Sequence, residues 1–165
     1  MPVKKLKEFL DGQQVKYVAI SHSVAYTAQG IAATTHTPSN ELAKTVIVKM
    51  DDGLAMAVLP ASRQIDVARL QAATGAKTLS LAKEKEFKDR FPGCETGAMP
   101  PFGNLYGMPV FVDESLTKDK QIAFNAGSHR ELIQLAYEDF ASLVKPTILK
   151  FSSVLDVESR AAWHL

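Results

Sequence analysis

A stretch of eighteen residues, 92–109, constrains the fold more than any other part of the chain. It reads PGCETGAMPPFGNLYGMP and holds four of the nine glycines and four of the eight prolines. Glycine permits positive φ and close backbone approach, whereas proline fixes φ and removes a hydrogen-bond donor. The only charged residue between Phe91 and Val112 is Glu95, so the composition is not that of a mobile linker. This Gly/Pro loop is therefore predicted to be stiff and shaped, as loops that bind ligands or carry chemistry are. The alternative is a rigid connector with no further role.

The bulk composition sets outer limits on the function. A chain of 165 residues with 46% hydrophobic and 22% charged residues is typical of one globular domain. A single cysteine excludes an internal disulfide framework and favours a cytoplasmic location. No apolar run approaches the roughly 20 residues of a bilayer helix, so we expect no membrane partner. The net charge of +1 means that a polyanion must be bound by a local patch, for which Lys4, Lys5, Lys7 and Lys16 are candidates.

Residue periodicity predicts a mixture of helices and strands. The β-branched run 45–50, a turn at 51–53 and a second run at 54–59 predict a β-hairpin. Helices are predicted at 3–11, 27–33, 37–43, 65–73 and 83–90, and further strands at 15–20, 77–81, 110–113 and 121–125. Residues 131–144 fit either a helix or a strand, with 137–145 favouring a helix. Residues 147–165 fit an extra helix or a frayed tail. This mixture indicates an α+β fold with a mixed, mainly antiparallel sheet.

Three segments, taken in order, resemble one known family. They are LAKTVIV at 42–48, which places a lysine at the entrance to a strand, TGAMPPFG at 96–103 and FNAGSH at 124–129. Together they are similar to the YbaK/prolyl-tRNA-synthetase-associated editing domains, which are aminoacyl-tRNA deacylases. The resemblance covers roughly residues 3–146. We therefore predict an editing domain at 1–146 and a C-terminal extension of unknown role at 147–165.

The resemblance implies a fold, a reaction and a partner. The fold would be a mixed sheet curled into a partial barrel and flanked by helices. The reaction would be hydrolysis of the ester that joins a wrongly attached amino acid to the terminal adenosine of a tRNA. The partner would be the acceptor end of that tRNA, with an aminoacyl-tRNA synthetase as a second candidate. The resemblance implies no metal and no organic cofactor.

The candidate site combines this resemblance with the chemistry that the residues can support. Lys44 would bind the substrate end as a point charge, and a neighbouring substrate hydroxyl would help to activate water. Backbone N–H groups of a glycine-rich loop can stabilise the oxyanion that develops during ester hydrolysis. The candidate catalytic residues are Lys44, Gly97 and Gly103. The candidate substrate-binding residues are Tyr26, Thr45, Ala98, Met99, Pro100, Pro101, Phe102, Gly127, Ser128 and His129.

Other interpretations of the same residues stay open. Lys44 could be an ordinary strand-edge lysine, and His129 could cap the element that follows it. The sequence contains no convincing Ser-His-Asp or Cys-His arrangement and no cluster of metal ligands. We expect a deacylase for a small residue of the Ala, Ser or Cys class on a tRNA such as tRNA-Pro, with the Lys44 amine and the Gly/Pro loop converging on one cleft. The alternatives are a non-catalytic tRNA-binding module and a signalling module that uses residues 147–165 as its contact.

Overall fold

The computed structural model describes residues 2–21, 40–51, 53–92, 94–95 and 97–154, with the backbone alone for residues 2 and 3. The α-helices are α1 (Pro2–Gly12), α2 (Val67–Thr74), α3 (Glu84–Phe87) and α4 (Tyr137–Val144). The strands are β1 (Tyr17–Ser21), β2 (Ala43–Met50), β3 (Gly53–Pro60), β4 (Arg63–Ile65), β5 (Leu79–Leu81), β6 (Val110–Asp113), β7 (Gln121–Asn125), β8 (Glu131–Ala136), β9 (Thr147–Leu149) and β10 (Ser152–Val154). Short 3-10 helices span Lys88–Arg90, Gly103–Leu105 and Glu114–Lys118.

The strands form three sheets. One has five strands in the order β5-β2-β3-β6-β9, one has three strands in the order β1-β8-β7, and the third pairs β10 with β4. All pairings are antiparallel except β3 with β6 and β6 with β9. The predicted α+β fold with a mixed sheet is confirmed. No sheet within the described ranges closes on itself, and the partial barrel stays a prediction.

The hairpin of β2 and β3 separates two hydrophobic cores, as its alternating side chains require. On one face, Ile47 and Val58 join a larger core with the apolar side of α1 and the Gly/Pro loop. On the other face, Val48 and Leu59 join a smaller core that contains Leu70 of α2. The hairpin was predicted correctly, because the β-branched runs and the turn between them agree with the observed pairing.

Residues with known preferences for helix ends mark the ends of α1 and α2. Helix α1 ends at Gly12, and Leu6 and Leu10 on its apolar stripe are fully buried. Helix α2 begins after Asp66, whose carboxylate accepts a hydrogen bond from the Arg69 N–H at 3.1 Å. It closes at Gly75 with a φ of 73°.

Several predicted boundaries are wrong. Ala43 belongs to β2 and Ile65 to β4, so neither ends nor begins a helix. The helix predicted at 83–90 divides into α3 and a 3-10 turn. By contrast, the helix favoured at 137–145 is confirmed and begins at Tyr137, and residues 131–136, which fitted either a helix or a strand, are a strand. The predicted helix 27–33 and residues 37–39 of the helix predicted at 37–43 lie outside the described residues. Residues 40–42 form a turn and a β-bridge, not a helix.

The C-terminal segment is part of the fold as far as Val154. Strand β9 pairs with β6, and β10 pairs with β4. Between them, Phe151 is fully buried in the smaller core. Both alternatives for the segment, a helix and a frayed tail, are therefore wrong for residues 147–154, because an aromatic side chain fixes the segment against the sheet. The domain division after residue 146 stays a prediction.

None of the helices that the structure describes is both long and apolar enough to span a membrane.

Candidate active site

The Gly/Pro loop is joined to the turn after β7 by backbone hydrogen bonds. The Glu95 N–H donates to the Gly127 carbonyl at 2.9 Å, and the Gly127 N–H donates to the Ala98 carbonyl at 2.8 Å. The Ala98 N–H closes the arrangement by donating to the Glu95 carbonyl at 3.0 Å. Gly127 has a φ of 98°, a conformation that glycine adopts without strain. Two of the three segments that carry the resemblance thus lie side by side.

Within this arrangement, Gly97 faces the imidazole of His129. Gly97 is exposed and has a φ of 85°. A Cβ atom at this position would lie 3.6 Å from Cε1 of His129. The His129 ring is only 8% exposed, and its backbone N–H donates to the Glu95 carboxylate at 3.1 Å. The imidazole therefore forms a fixed wall beside an open stretch of backbone.

Three candidate residues of the loop, Gly97, Ala98 and Gly103, differ in how their backbone is used. The Ala98 N–H is already used within the loop. The Gly97 N–H donates to no other residue of the described part of the chain, and it lies on the exposed side. Gly103 is buried, and a Cβ atom there would collide with the Met108 carbonyl and lie 2.6 Å from Cγ2 of Val110. Gly97 is thus the best placed of the three to donate to a ligand, and Gly103 permits close packing.

The apolar residues of the loop are held in the larger core. Phe102 is fully buried, with its ring centroid 5.5 Å from those of Phe124 and Phe140. Met99 is 5% exposed, and Pro100 and Pro101 are buried too. These four residues were predicted to line a pocket or to shape the loop. The observed packing favours the second role, since their contacts with the core fix the position of the glycine backbone. Their assignment to substrate binding stays a prediction.

The side chain of Lys44 is largely buried on the opposite face of β2. It lies across from Leu59 of the smaller core, whereas Met99 and Phe102 belong to the larger core. Its ammonium group donates to the Arg63 carbonyl at 2.5 Å. Burial lowers the pKa of Lys44 from 10.5 to about 7. Because this pKa is close to physiological pH, the amine of Lys44 can gain or lose its proton in that pH range.

The main chain nevertheless brings Lys44 towards the loop. Leu42 forms a parallel bridge with Ala123 of β7, and the Ala123 N–H donates to the Glu41 carbonyl at 2.9 Å. From this bridge, one chain continues to Lys44 and the other continues in the same direction to the Gly127 turn. Neighbouring Thr45 presents its side chain to the larger-core face of β2, since it lies opposite Val58. The convergence of the Lys44 amine with the loop on one cleft stays a prediction.

The remaining candidates have simpler surroundings. The Ser128 hydroxyl accepts a hydrogen bond from the Arg130 N–H at 3.2 Å, which closes a turn. Tyr26 lies outside the described residues. Sequence reasoning gave no role to Glu95, which holds the backbone of His129. Its signal was its isolation, since it is the only charge in the Gly/Pro loop.

Within the described ranges, no group of three or more His, Cys, Asp and Glu side chains is arranged to hold a metal ion.

The family model of the aminoacyl-tRNA editing domain matches residues 22–143. The chain belongs to the aminoacyl-tRNA editing domain family. This confirms the family named from the three sequence segments, all of which fall within the matched range.

Individual members of the editing domain family can be compared with this chain. The multifunctional Ser/Thr-tRNA deacylase ProXp-y of Escherichia coli K12 is 26% identical over 153 residues, which cover 90% of this chain and 91% of that protein. A proline–tRNA ligase of Thermosipho africanus is 29% identical over 77 residues, which cover 47% of this chain and 14% of that enzyme. The crystal structure of a candidate trans-editing enzyme for prolyl tRNA synthetase has a TM-score of 0.79 at 17% identity and covers 92% of this chain and 97% of its own. This last similarity supports the fold of the editing domain.

Proposed function

We propose that this editing domain acts in the cytoplasm as an aminoacyl-tRNA deacylase. Its substrate would be a tRNA, with tRNA-Pro as the first candidate, that carries a small non-cognate residue of the Ala, Ser or Cys class. Serine is the best single candidate, because the full-length Escherichia coli relative is named as a Ser/Thr-tRNA deacylase. The partial match to a proline–tRNA ligase supports tRNA-Pro and a synthetase as partners.

The observation that carries this proposal is the position of the Gly97 backbone beside the buried imidazole of His129. Hydrolysis of an ester needs donors aimed at the oxygen on which negative charge develops. The Gly97 N–H is such a donor, and the hydrogen bonds between Glu95, Ala98 and Gly127 hold it in place before the substrate arrives. The buried His129 ring forms the neighbouring wall and orients the ester.

Lys44 would bind the terminal nucleotide, and the reaction needs no protein nucleophile in this scheme. The ammonium group would exchange the Arg63 carbonyl for an anionic or hydroxyl group of the substrate. A substrate hydroxyl beside the ester would then help to activate the attacking water. The acyl carbon–oxygen bond to the ribose breaks, and the ribose oxygen leaves with a proton from water.

Deacylation of mischarged tRNAs tests the proposal. The panel contains tRNA-Pro charged with Ala, Ser, Cys or Pro, assayed with the wild type, Lys44→Ala and Lys49→Ala. Lys49 is a matched control because it lies on the same strand, is exposed and pairs with Glu86 at 3.5 Å. We expect Ser-tRNA to be hydrolysed and Pro-tRNA to be spared. Lys44→Ala should lower kcat/KM about a hundredfold, a typical loss when one transition-state contact is removed, and Lys49→Ala should have little effect.

The contrary results separate the alternatives. If the wild type cleaves no ester faster than the spontaneous rate, the deacylase proposal is wrong. Salt-dependent binding of tRNA without cleavage would instead support the non-catalytic tRNA-binding module.

A further inference from the structure

A polar cavity lies on the smaller-core side of the molecule, and neither Gly97 nor His129 lines it. It has a volume of about 220 Å³, equivalent to roughly seven water molecules at about 30 Å³ each. Four cationic and two anionic side chains line it, which leaves an excess of two positive charges. The cationic residues are Arg63, Arg69, Lys118 and Lys150.

Ser152 of β10 organises the guanidinium groups in this cavity. Nε of Arg63 donates to the Ser152 hydroxyl at 2.6 Å, and a second nitrogen of Arg63 donates to the Ser152 carbonyl at 3.1 Å. Arg69 donates to the same carbonyl at 3.2 Å. Each guanidinium carries five N–H donors, so both retain donors for a ligand after these bonds are made. Ser152 is 3% exposed, and the floor of the cavity is therefore a fixed part of the fold.

The two acidic residues of the cavity cancel only part of its positive charge. Burial alone would raise the pKa of Asp113, but hydrogen bonds from Ser115, Phe151 and Ser152 outweigh it and lower the pKa. Asp113 thus stays ionised, but its oxygens already accept from the Ser115 and Phe151 N–H groups. Glu114 pairs with Lys150 at 3.7 Å. With both carboxylates ionised, the lining residues keep an excess of two positive charges, and Arg69 also approaches the Asp66 carboxylate at 4.0 Å.

Helix α1, the other basic surface, has much of its charge engaged. Lys7 pairs with Glu131 at 2.8 Å, and Lys4 approaches Glu8 at 3.9 Å. Lys5 donates to the Leu105 carbonyl at 3.0 Å. The lysines singled out by the sequence are therefore a weaker anion site than the cavity, where two arginines converge on one serine.

Arg63 connects the cavity to the candidate active site. Its carbonyl accepts the hydrogen bond from Lys44, and its guanidinium forms part of the cavity wall. An anion bound to the Arg63 guanidinium would thus be linked, through Arg63 alone, to Lys44, the lysine proposed to bind the end of the tRNA. Guanidinium groups match the geometry of phosphate oxygens well.

We propose that the cavity between β4, β10 and the Glu114–Lys118 turn binds a backbone phosphate of the tRNA close to its 3′ end. This proposal rests on the proposed function for its choice of ligand. In this proposal, Ser152 of strand β10 positions the two arginines for the substrate.

The test compares two variants that each remove two positive charges. Arg69→Gln/Lys118→Gln alters the cavity and leaves the bonds between Arg63 and Ser152 in place. Lys4→Gln/Lys16→Gln, the α1 variant, alters α1 and the segment between α1 and β1. We expect the cavity variant to bind tRNA about tenfold more weakly. The slope of log K against log salt concentration should fall by about 1, as expected when a phosphate contact is removed. The α1 variant should change binding by less than about threefold, because the lysines that it removes lie outside the cavity.

A phosphate-free ester provides the second arm. The cavity variant should lose about ten times more kcat/KM on aminoacyl-tRNA than on 3′-aminoacyl-adenosine, which has no phosphate. Inorganic phosphate should compete with tRNA for the wild type and much less for the cavity variant. Equal losses in both double variants would overturn the proposal, as would phosphate binding that does not compete with tRNA. A wild type that binds tRNA in this manner without cleaving it would refute the deacylase function and leave the phosphate site standing.

Discussion

The two faces of the β2–β3 hairpin differ in the kinds of residue that they present. The larger-core face packs Phe102 among aromatic rings and leaves one glycine of the loop exposed beside a buried histidine. The smaller-core face packs Phe151 and Leu70, and at its edge it holds Lys44 and the arginine-lined cavity. One face therefore presents oriented backbone, whereas the other presents positive charge.

Under the proposed function, this difference would let one strand serve two parts of a substrate. Side chains alternate across a strand, so consecutive residues Lys44 and Thr45 point to opposite faces. A tRNA end that reached both faces would have to pass around the entrance of β2. The following predictions test this separation.

The largest effect is expected in the smaller core, where Phe151 lies between the two C-terminal strands. Phe151→Ala should lower the free energy of unfolding by about 3–5 kcal/mol, since it removes a fully buried aromatic ring. Ile148→Ala is the control, because Ile148 lies on β9 and is 50% exposed. Urea denaturation measures both. Similar small losses would mean that residues 147–154 are an appendage and not part of this core.

The next effect concerns the charge of Lys44. Its pKa is about 7 in the folded protein and near 10.5 when the chain is unfolded, so the unfolded state binds more protons between these values. Stability should therefore rise with pH, by about 2 kcal/mol between pH 7 and 9, and Lys44→Met should lack this rise. Denaturation of both proteins across this pH range measures the difference. If the free energy of unfolding of the wild type and Lys44→Met changed with pH in parallel, the prediction would be wrong. The ammonium group of Lys44 would then be hydrated in the folded protein, and the two faces of the hairpin would be alike in charge.

The smallest effect tests the exposed backbone of the larger-core face. Gly97→Ala should lower kcat/KM for aminoacyl-tRNA about tenfold, because an alanine strains a backbone whose φ is 85° and moves the N–H beside His129. Gly107→Ala is matched, since Gly107 has a φ of 68° and open space around its Cα. Both changes should cost about 1–2 kcal/mol of stability.

The decisive result is the ratio of the two activities. If Gly107→Ala lowers kcat/KM as much as Gly97→Ala does, loop strain alone explains the loss, and Gly97 has no special part in the site.

Much of the fold could be predicted because its signals are local. The hairpin was found from its β-branched runs, and the helix predicted at 65–73 corresponds to α2 at Val67–Thr74. The segment 131–144 was ambiguous, because a short apolar run satisfies a strand and a helix equally. Pairing of β8 with both β1 and β7 decided for the strand. Residues 147–154 gave no periodic signal, since a three-residue strand is too short to show one.

The site divides in a similar way. The Gly/Pro loop and the Gly127 turn were recognised from their composition and from the resemblance. Glu95 and the cavity around Ser152 were not, because their roles depend on residues more than thirty positions apart in the chain.

The sequence by itself determined the family and the hairpin, because motif order and the alternation of side chains are properties of neighbouring residues. Only the tertiary structure decided which glycine faces His129, which face of β2 holds the lysine and which cations converge. These depend on register and burial, and both are set by the packing of distant segments against one another.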